Sequence, residues 1–382
     1  MIEIIDKSKC TGCGACIAKC VKNAISFQED DEGVRYPIVN DELCVDCGQC
    51  DTVCPMLIEN HGLIRKNSIE FYYAAQLKEI DELNNVSSGG AFLAFVKLVI
   101  NKGGVIYGAK QESVDYIKHC RATDIAKAKE FCRSKYLQSD CSDIYTDVKN
   151  DLTEGYLVLF SGTGCQIAGL NLFLGKDYEN LITCEVVCHG VPCGGVWKSY
   201  RSELERKKGK QIKNLVFRDK SLGWSQNQYK IEYSDGTVEY EHSVKQIFHR
   251  GYLMGLFYRP SCGKCLFAKT PRVADITLAD YWKYNGELLK NGDKGISLIL
   301  ASSEKGLRLV DESQKYINIE GTSKKDAKIS CRHLDNSPEA NPNRDAFVRD
   351  VMKRGYHNSY RKYTKKNSVF ERAINIIKRM FG

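Results

Sequence analysis

The sequence predicts an α/β (α+β) protein in two parts: a cysteine-rich module over 1–57 and a larger mixed α/β domain over 70–345, joined by a linker at 58–69. Three observations carry this. Two cysteine runs of one spacing fill the N-terminus, Cys10-x2-Cys13-x2-Cys16-x3-Cys20 and Cys44-x2-Cys47-x2-Cys50-x3-Cys54-Pro55. Beyond Ser68, apolar runs of strand length alternate with helix-length segments entered through glycine turns. The chain then closes with a basic tail over 346–382, in which residues 353–382 carry nine Lys or Arg against one acid, Glu371.

The cysteine runs come first. Two-residue gaps let a tight loop aim several thiolates at one cubane, and the fourth cysteine of each run reaches the other cluster. Cys10, Cys13, Cys16 and Cys54 are therefore assigned to one 4Fe-4S cluster, and Cys44, Cys47, Cys50 and Cys20 to a second. Gly12, Gly14 and Gly48 let the backbone approach the sulfides. Over residues 4–56 the pattern resembles bacterial-type two-cluster ferredoxins. It departs at Val21, where the family usually has proline; Pro55 keeps that position in the second run. The competing reading is structural zinc on four thiolates per site, an ion that rarely uses interlocked three-plus-one runs. Two adjacent clusters serve mainly as an electron conduit.

In the larger domain, Phe71 to Ala75 reads as a strand. Ser87-Ser88-Gly89-Gly90 turns into a helix over Ala91 to Asn101, which Gly103 and Gly104 end. Val105 to Gly108 reads as a strand, and so does Tyr156 to Phe160. Ser161-Gly162-Thr163-Gly164 is a turn into a helix over Cys165 to Leu174. Leu181 to Val187 is a strand ending at Cys188-His189-Gly190. Gln228 to Glu241 alternates around Asp235-Gly236, a hairpin signal. Gly295 to Ala301 is a further strand, and Asn367 to Phe381 reads as an amphipathic helix.

The net charge of +8 equals that of the tail alone, so the body is formally neutral. Global charge thus gives no support to nucleic-acid binding. Met1-Ile-Glu-Ile-Ile-Asp lacks the basic start and apolar run of a secretion signal, and Gly90 to Ile100 is too short to span a bilayer. A reducing, cytoplasmic setting follows for the 18 cysteines. The tail has a bland reading, a helix packed on its own domain. Its sharper reading is peripheral contact with anionic lipid at the inner face of the membrane.

Several segments are weak singly and informative together: Ser87 to Gly90, Ser134-Lys135-Tyr136-Leu137-Gln138-Ser139, Ser161 to Leu170, Cys188-His189-Gly190-Val191-Pro192, Phe217-Arg218-Asp219-Lys220 with Gly223-Trp224, and Cys262-x2-Cys265 followed by Arg272 to Trp282. Over roughly 70–340 they resemble the coenzyme F-420 hydrogenase/dehydrogenase beta subunits. The resemblance implies an FAD-dependent iron–sulfur oxidoreductase that exchanges hydride with a small organic substrate and electrons with a redox protein. The substrate would be a deazaflavin or, since similar chains occur among polysaccharide genes, a pathway intermediate of that kind. A converter is needed because clusters take one electron and hydride carriers give two. The alternative is an electron-transfer subunit that serves a partner enzyme and has no substrate of its own.

The resemblance also implies site residues. Cys165, Cys188, Cys262 and Cys265 match its cysteine positions and would hold a third 4Fe-4S cluster; the nearest competitors are Cys184 and Cys193. Cys120, Cys132, Cys141 and Cys331 read as structural thiols. Ser87, Ser88, Gly89 and Gly90, before a helix, and Ser134, Lys135, Tyr136 and Gln138 are the candidate flavin contacts. The plain alternative for the first group is a helix cap. Lys135 would pair phosphate or reduced flavin, against a solvated lysine. His189 would move a proton, against a hydrogen bond to cluster sulfur or backbone. Asp275 and Asp280 shape a pocket or only the fold, and Asp219 and Lys220 form a folding motif with Trp224. No Gly-x-Gly-x-x-Gly signature is present for a nicotinamide site.

Overall fold

A computed structural model describes residues 2–64, 67–243 and 245–364. The N-terminal module is built round one hairpin, β1 (Ile25–Glu29) and β2 (Arg35–Val39), paired antiparallel. The remaining strands are β3 (Phe71–Leu77), β4 (Val105–Gln111), β5 (Ile117–Ala122), β6 (Ser139–Asp140), β7 (Val158–Gly162), β8 (Leu181–Val186), β9 (Ile212–Asp219), β10 (Gln228–Tyr233), β11 (Val238–His242), β12 (Ile276–Asp280), β13 (Ser297–Ala301) and β14 (Ile317–Thr322). Nine of them form a mixed sheet in the order β14-β3-β13-β12-β8-β7-β4-β5-β6, and β11-β10-β9 form a second, antiparallel sheet.

At the centre of the large sheet β12, β8, β7 and β4 run parallel. Their carboxyl ends therefore share one edge, where open α/β sheets place ligands. Strand β7 leaves that edge into Thr163 and helix Gly164–Leu174, β8 into Cys188-His189, and β12 ends at Asp280. Val158, Leu159 and Phe160 are fully buried, as expected of a central strand covered on both faces. The turn after β7 is held locally: the Thr163 amide donates to Gln166 Oε1 at 2.9 Å, and Gly175, in the left-handed region at φ 68°, ends the helix.

The N-terminal module is seated in the larger domain's cores. Cys10, Val34 and Tyr36 pack with Trp197, Phe217, Tyr252 and Phe347, while Cys13, Ala15 and Val53 pack with Tyr145, Ile167 and Phe173. Arg35 pairs with Asp140 at 2.7 Å, and Arg344 pairs with Glu32 at 2.5 Å. Gly33 lies so close to Gly194 and Gly195 that a Cβ there would strike their backbone.

Within the described residues the strands and helices read from the sequence are present; helix Ala91–Asn101 has the same bounds, and the Asp235-Gly236 hairpin is β10–β11. One feature differs. Residues 346–364, counted with the tail, belong to helices Arg344–Arg354 and Tyr356–Thr364, which bury Phe347, Val348, Val351 and Tyr356 in the core. Apart from the buried Arg344, their basic residues (Arg349, Lys353, Arg354, Arg361 and Lys362) are exposed, and their scatter masks that apolar side in the sequence. The amphipathic helix read over 367–381 lies outside the described residues. Among the described residues no helix is long and apolar enough to cross a membrane.

Candidate metal centres and cofactor site

Four cysteines wall one cavity in the N-terminal module: Cys10, Cys13, Cys16 and Cys54. This is the three-plus-one set assigned from spacing, with the fourth ligand arriving from the other run. Ile2, Ile4, Phe27, Pro37 and Met56 make the rest of the wall largely apolar. Gly12 and Gly14 hold the loop open at φ 67° and 83°, where L side chains are strained. Burial and the neighbouring thiols push Cys13 up to about 12 and hold Cys16 well above its ordinary value. Without metal these groups stay neutral thiols; as thiolates they would need cations among them, which cubane iron would supply. Among the described residues no group of three or more His, Cys, Asp or Glu side chains is arranged for a single metal ion.

The second set lies nearer the surface. Cys50 and Cys20 pack around Ile2 and Ile25, and each sulfur accepts a backbone amide at 3.3 Å, from Ile2 and Ala24 respectively. Cys47 is exposed.

Cys165, Cys188, Cys262 and Cys265, far apart in sequence, are brought together beyond the carboxyl ends of β7 and β8. Burial raises the thiol of Cys188 first, and then the charges of Cys262, Cys165 and Cys265. The same mutual influence, after burial, pushes Cys262 to about 11 and Cys265 to about 12. Cys262 accepts the Val191 amide at 3.5 Å, and Cys165 lies 3.2 Å from the Thr163 hydroxyl. Cys184 sits apart in the apolar core around Ile276 and Ile299. Cys193 faces Arg344 Nη2 at 2.8 Å. The third set also adjoins the first: Cys165 and Cys265 pack in the same core as Cys13, and the charge of Cys165 helps raise the Cys13 thiol.

The residues singled out for flavin are partly gathered. Ser87 and Ser134 hydroxyls meet at 3.0 Å. Ser134 and Lys135 line a cleft of about 450 Å³ with Arg133, Lys129, Asn85 and Asn214, a size usual for ligand sites. The Ser88 hydroxyl donates to the Ile296 carbonyl at 2.5 Å. A Cβ on Gly89 would strike the Ala75 carbonyl, and one on Gly90 the Leu77 side chain; both glycines are demanded by packing on β3. Lys135, lowered to about 8 by burial, donates to the carbonyls of Glu130 and Cys132, each at 2.8 Å. Tyr136 packs edge-on to Phe217, 5.2 Å between centroids. Gln138 reaches the first ligand loop instead, donating to Thr11 and Gly12 carbonyls at 2.9 and 3.0 Å. His189 meets His333 at 4.3 Å, and burial, then the His333 charge, holds it well below the usual histidine range.

Residues 156–325 match the family model for the C-terminal part of the coenzyme F-420 hydrogenase/dehydrogenase beta subunit. Residues 9–58 match the 4Fe-4S dicluster domain. One chain thus carries a segment that matches each model. An uncharacterized protein of Methanocaldococcus jannaschii is 27 % identical over 123 residues, 26 % of this chain; the chain spans only 34 % of that relative's length. Ferredoxin-3 of Nostoc sp. is 34 % identical over 74 residues, covering 16 % of this chain and 76 % of that protein. A chain from a xenon-derivatized structure of the F-420-reducing NiFe hydrogenase complex of Methanosarcina barkeri has a TM-score of 0.45 at 14 % identity, covering 81 % of this chain and 94 % of that one. The N-terminal module is thus a ferredoxin domain for two 4Fe-4S clusters, attached to a segment of an oxidoreductase family.

The beta-subunit segment holds further functional candidates, of which the sequence offers Asp280 for a pocket or only the fold and Lys220 and Trp224 for a folding motif. Arg218 pairs with Asp280 and lies 5.0 Å from the Trp282 ring, which stacks on Trp224 at 4.0 Å. Lys220 donates to the carbonyls of Ser88 and Lys294 at 2.8 and 2.6 Å. Arg218 Nη2, Trp224 Nε1 and Asp280 Oδ1 are buried with no hydrogen-bond partner among the described residues, a costly state without a ligand. The only sequence signal for them was their place in the family-like segments.

Proposed function

We propose that this chain is an iron–sulfur flavoprotein oxidoreductase, linking a one-electron redox protein to hydride exchange with a small organic substrate, a deazaflavin or a polysaccharide-pathway intermediate. The observation that carries the reading is the contiguity of three cysteine sets: the one that reaches the surface at Cys47, the buried one at Cys10 to Cys16, whose Cys16 packs with Cys50 and Cys20, and the third, whose Cys165 and Cys265 pack in one core with Cys13. The ligand assignment is the twelve cysteines Cys10, Cys13, Cys16, Cys54; Cys44, Cys47, Cys50, Cys20; and Cys165, Cys188, Cys262, Cys265. A flavin bound near the third set would supply the conversion between hydride and single electrons.

The residues of this chain fit such a group. Arg218 Nη2 and Trp224 Nε1 offer buried donors and Asp280 Oδ1 a buried acceptor, suited to a ring edge that both accepts and donates. The cleft with Ser134 and Arg133 fits the polar remainder. The redox protein has one exposed set to approach. Val21, Leu43, Val45 and Ile58 are exposed around it, an apolar rim suited to a docking contact.

Anaerobic purification with iron, sulfide and flavin quantified together tests this. About twelve irons, four per cubane, and one flavin per chain are expected. Absence of flavin overturns the flavoprotein reading, and about eight irons overturns the third cluster. Substrate reduction by the isolated chain separates an enzyme from an electron-transfer subunit.

A further inference from the structure

Arg259 is 1 % exposed, yet among the described residues it forms no ion pair with a carboxylate. Its Nε donates to the Cys10 carbonyl at 2.8 Å, and Nη1 to the Arg35 carbonyl at 3.0 Å and to Gln138 Oε1 at 2.9 Å. Nη2 points at Cys10 Sγ, 3.4 Å away. The guanidinium also lies 4.6 Å from the Tyr36 ring centroid. Its acceptors are neutral groups and one sulfur. A buried cation is costly unless a counter-charge accompanies it, and a planar guanidinium stays charged.

The backbone of Arg259 belongs to the third set. Its amide donates to the Val191 carbonyl at 2.8 Å, and its carbonyl accepts the Cys262 amide at 2.9 Å. Its charge lowers the thiols of both Cys165 and Cys262. The side chain thus reaches into the first ligand loop while its backbone positions the third. Gly12 makes room for it: a Cβ there would sit 2.7 Å from Arg259 Nη1.

Resting on the ligand assignment proposed above, we propose that Arg259 is the shared counter-ion of the first and third clusters, a positioning residue that raises both reduction potentials relative to the second. Hydrogen bonds to cluster sulfur and nearby positive charge favour the reduced, more negative cluster.

The test is redox titration followed by electron paramagnetic resonance on the full chain, comparing wild type with Arg259→Gln and Arg259→Lys. In Arg259→Gln two of the three clusters become harder to reduce by about tenfold in their one-electron equilibrium, about 59 mV downward, and one stays unchanged. Arg259→Lys, which keeps charge but loses the fork, restores part of the shift. Unchanged potentials in both variants at full iron content overturn the proposal, as does an equal shift of all three clusters. Where Arg259→Gln loads poorly, the Lys variant decides by the same two-of-three pattern. Loss of the first cluster's irons in both variants would make Arg259 a scaffold and not a tuner. A wild type lacking three clusters would instead overturn the ligand assignment itself.

Discussion

The cysteine sets of the ferredoxin module and the set in the beta-subunit segment are assembled by opposite routes. In the module, eight cysteines lie between positions 10 and 54, and short loops with left-handed glycines do the positioning. In the larger segment, β7 and β8 run parallel and deliver Cys165 and Cys188 to one edge, and the separate short helix Pro260–Lys264 carries Cys262 and Cys265 to them. The first kind of site is written in local spacing. The second is written in topology, and a change in the sheet would dissolve it without touching a cysteine.

The largest effect should come from breaking the topological site. Cys262→Ala removes a proposed ligand of the third cluster and should take iron from about twelve to about eight per chain, while the paramagnetic signals of the module persist. Cys184→Ser, a control from the apolar core, should leave iron unchanged. A Cys184 variant that loses four irons while the Cys262 variant keeps twelve would reverse the assignment.

The same contrast explains what was legible in the sequence. The spacing of Cys10 to Cys54 announced the three-plus-one exchange, and the cavity walled by Cys54 with Cys10, Cys13 and Cys16 has that composition. Helix Ala91–Asn101 was legible because Gly90 and Gly103 mark both ends. Asp280 was legible as shaping a pocket or only the fold, whereas Arg218 and Trp224 carried no ligand role, because their meeting with it joins β9 and β12, which lie in different sheets. Arg259 had no signal beyond standing three residues before Cys262. Lys135 and Gln138 were read together from one segment, yet strand β6 and the loop before it turn them apart, toward Cys132 and Thr11 respectively.

A smaller effect should come from the seam between the two regions. Arg344→Met leaves Glu32 without its cation and removes the donor facing Cys193. Because Glu32 keeps partial solvent access, the cost should be about 2 kcal/mol, below that of a fully buried broken pair. Urea denaturation of the loaded protein measures it. Unchanged stability would mean that the module is held by its apolar contacts with Trp197 and Phe347 alone.

The smallest effect separates the regions by pH. Residues 1–57 contain no histidine, whereas the larger domain buries His119, His249 and His333. Burial, then the Arg218 charge, lowers His249 from 6.5 to about 3, and its Nδ1 lies 3.0 Å from the Tyr229 hydroxyl. Below 6.5 the unfolded chain binds a proton that the folded chain refuses. Stability is therefore lost as pH falls from about 6.5, and the loss levels off near 3. At pH 5.5 this one histidine should cost about 1.4 kcal/mol relative to neutral pH. His119, lowered by burial to about 4, adds a loss of the same sign. His249→Asn keeps an acceptor for Tyr229 and removes the titration, so its deficit against wild type should shrink by that amount between pH 7.5 and 5.5. Parallel stability curves for the two proteins would show that His249 is protonated in the folded state or that the acid loss begins elsewhere, and the contrast between the regions would then rest on cysteine assembly alone.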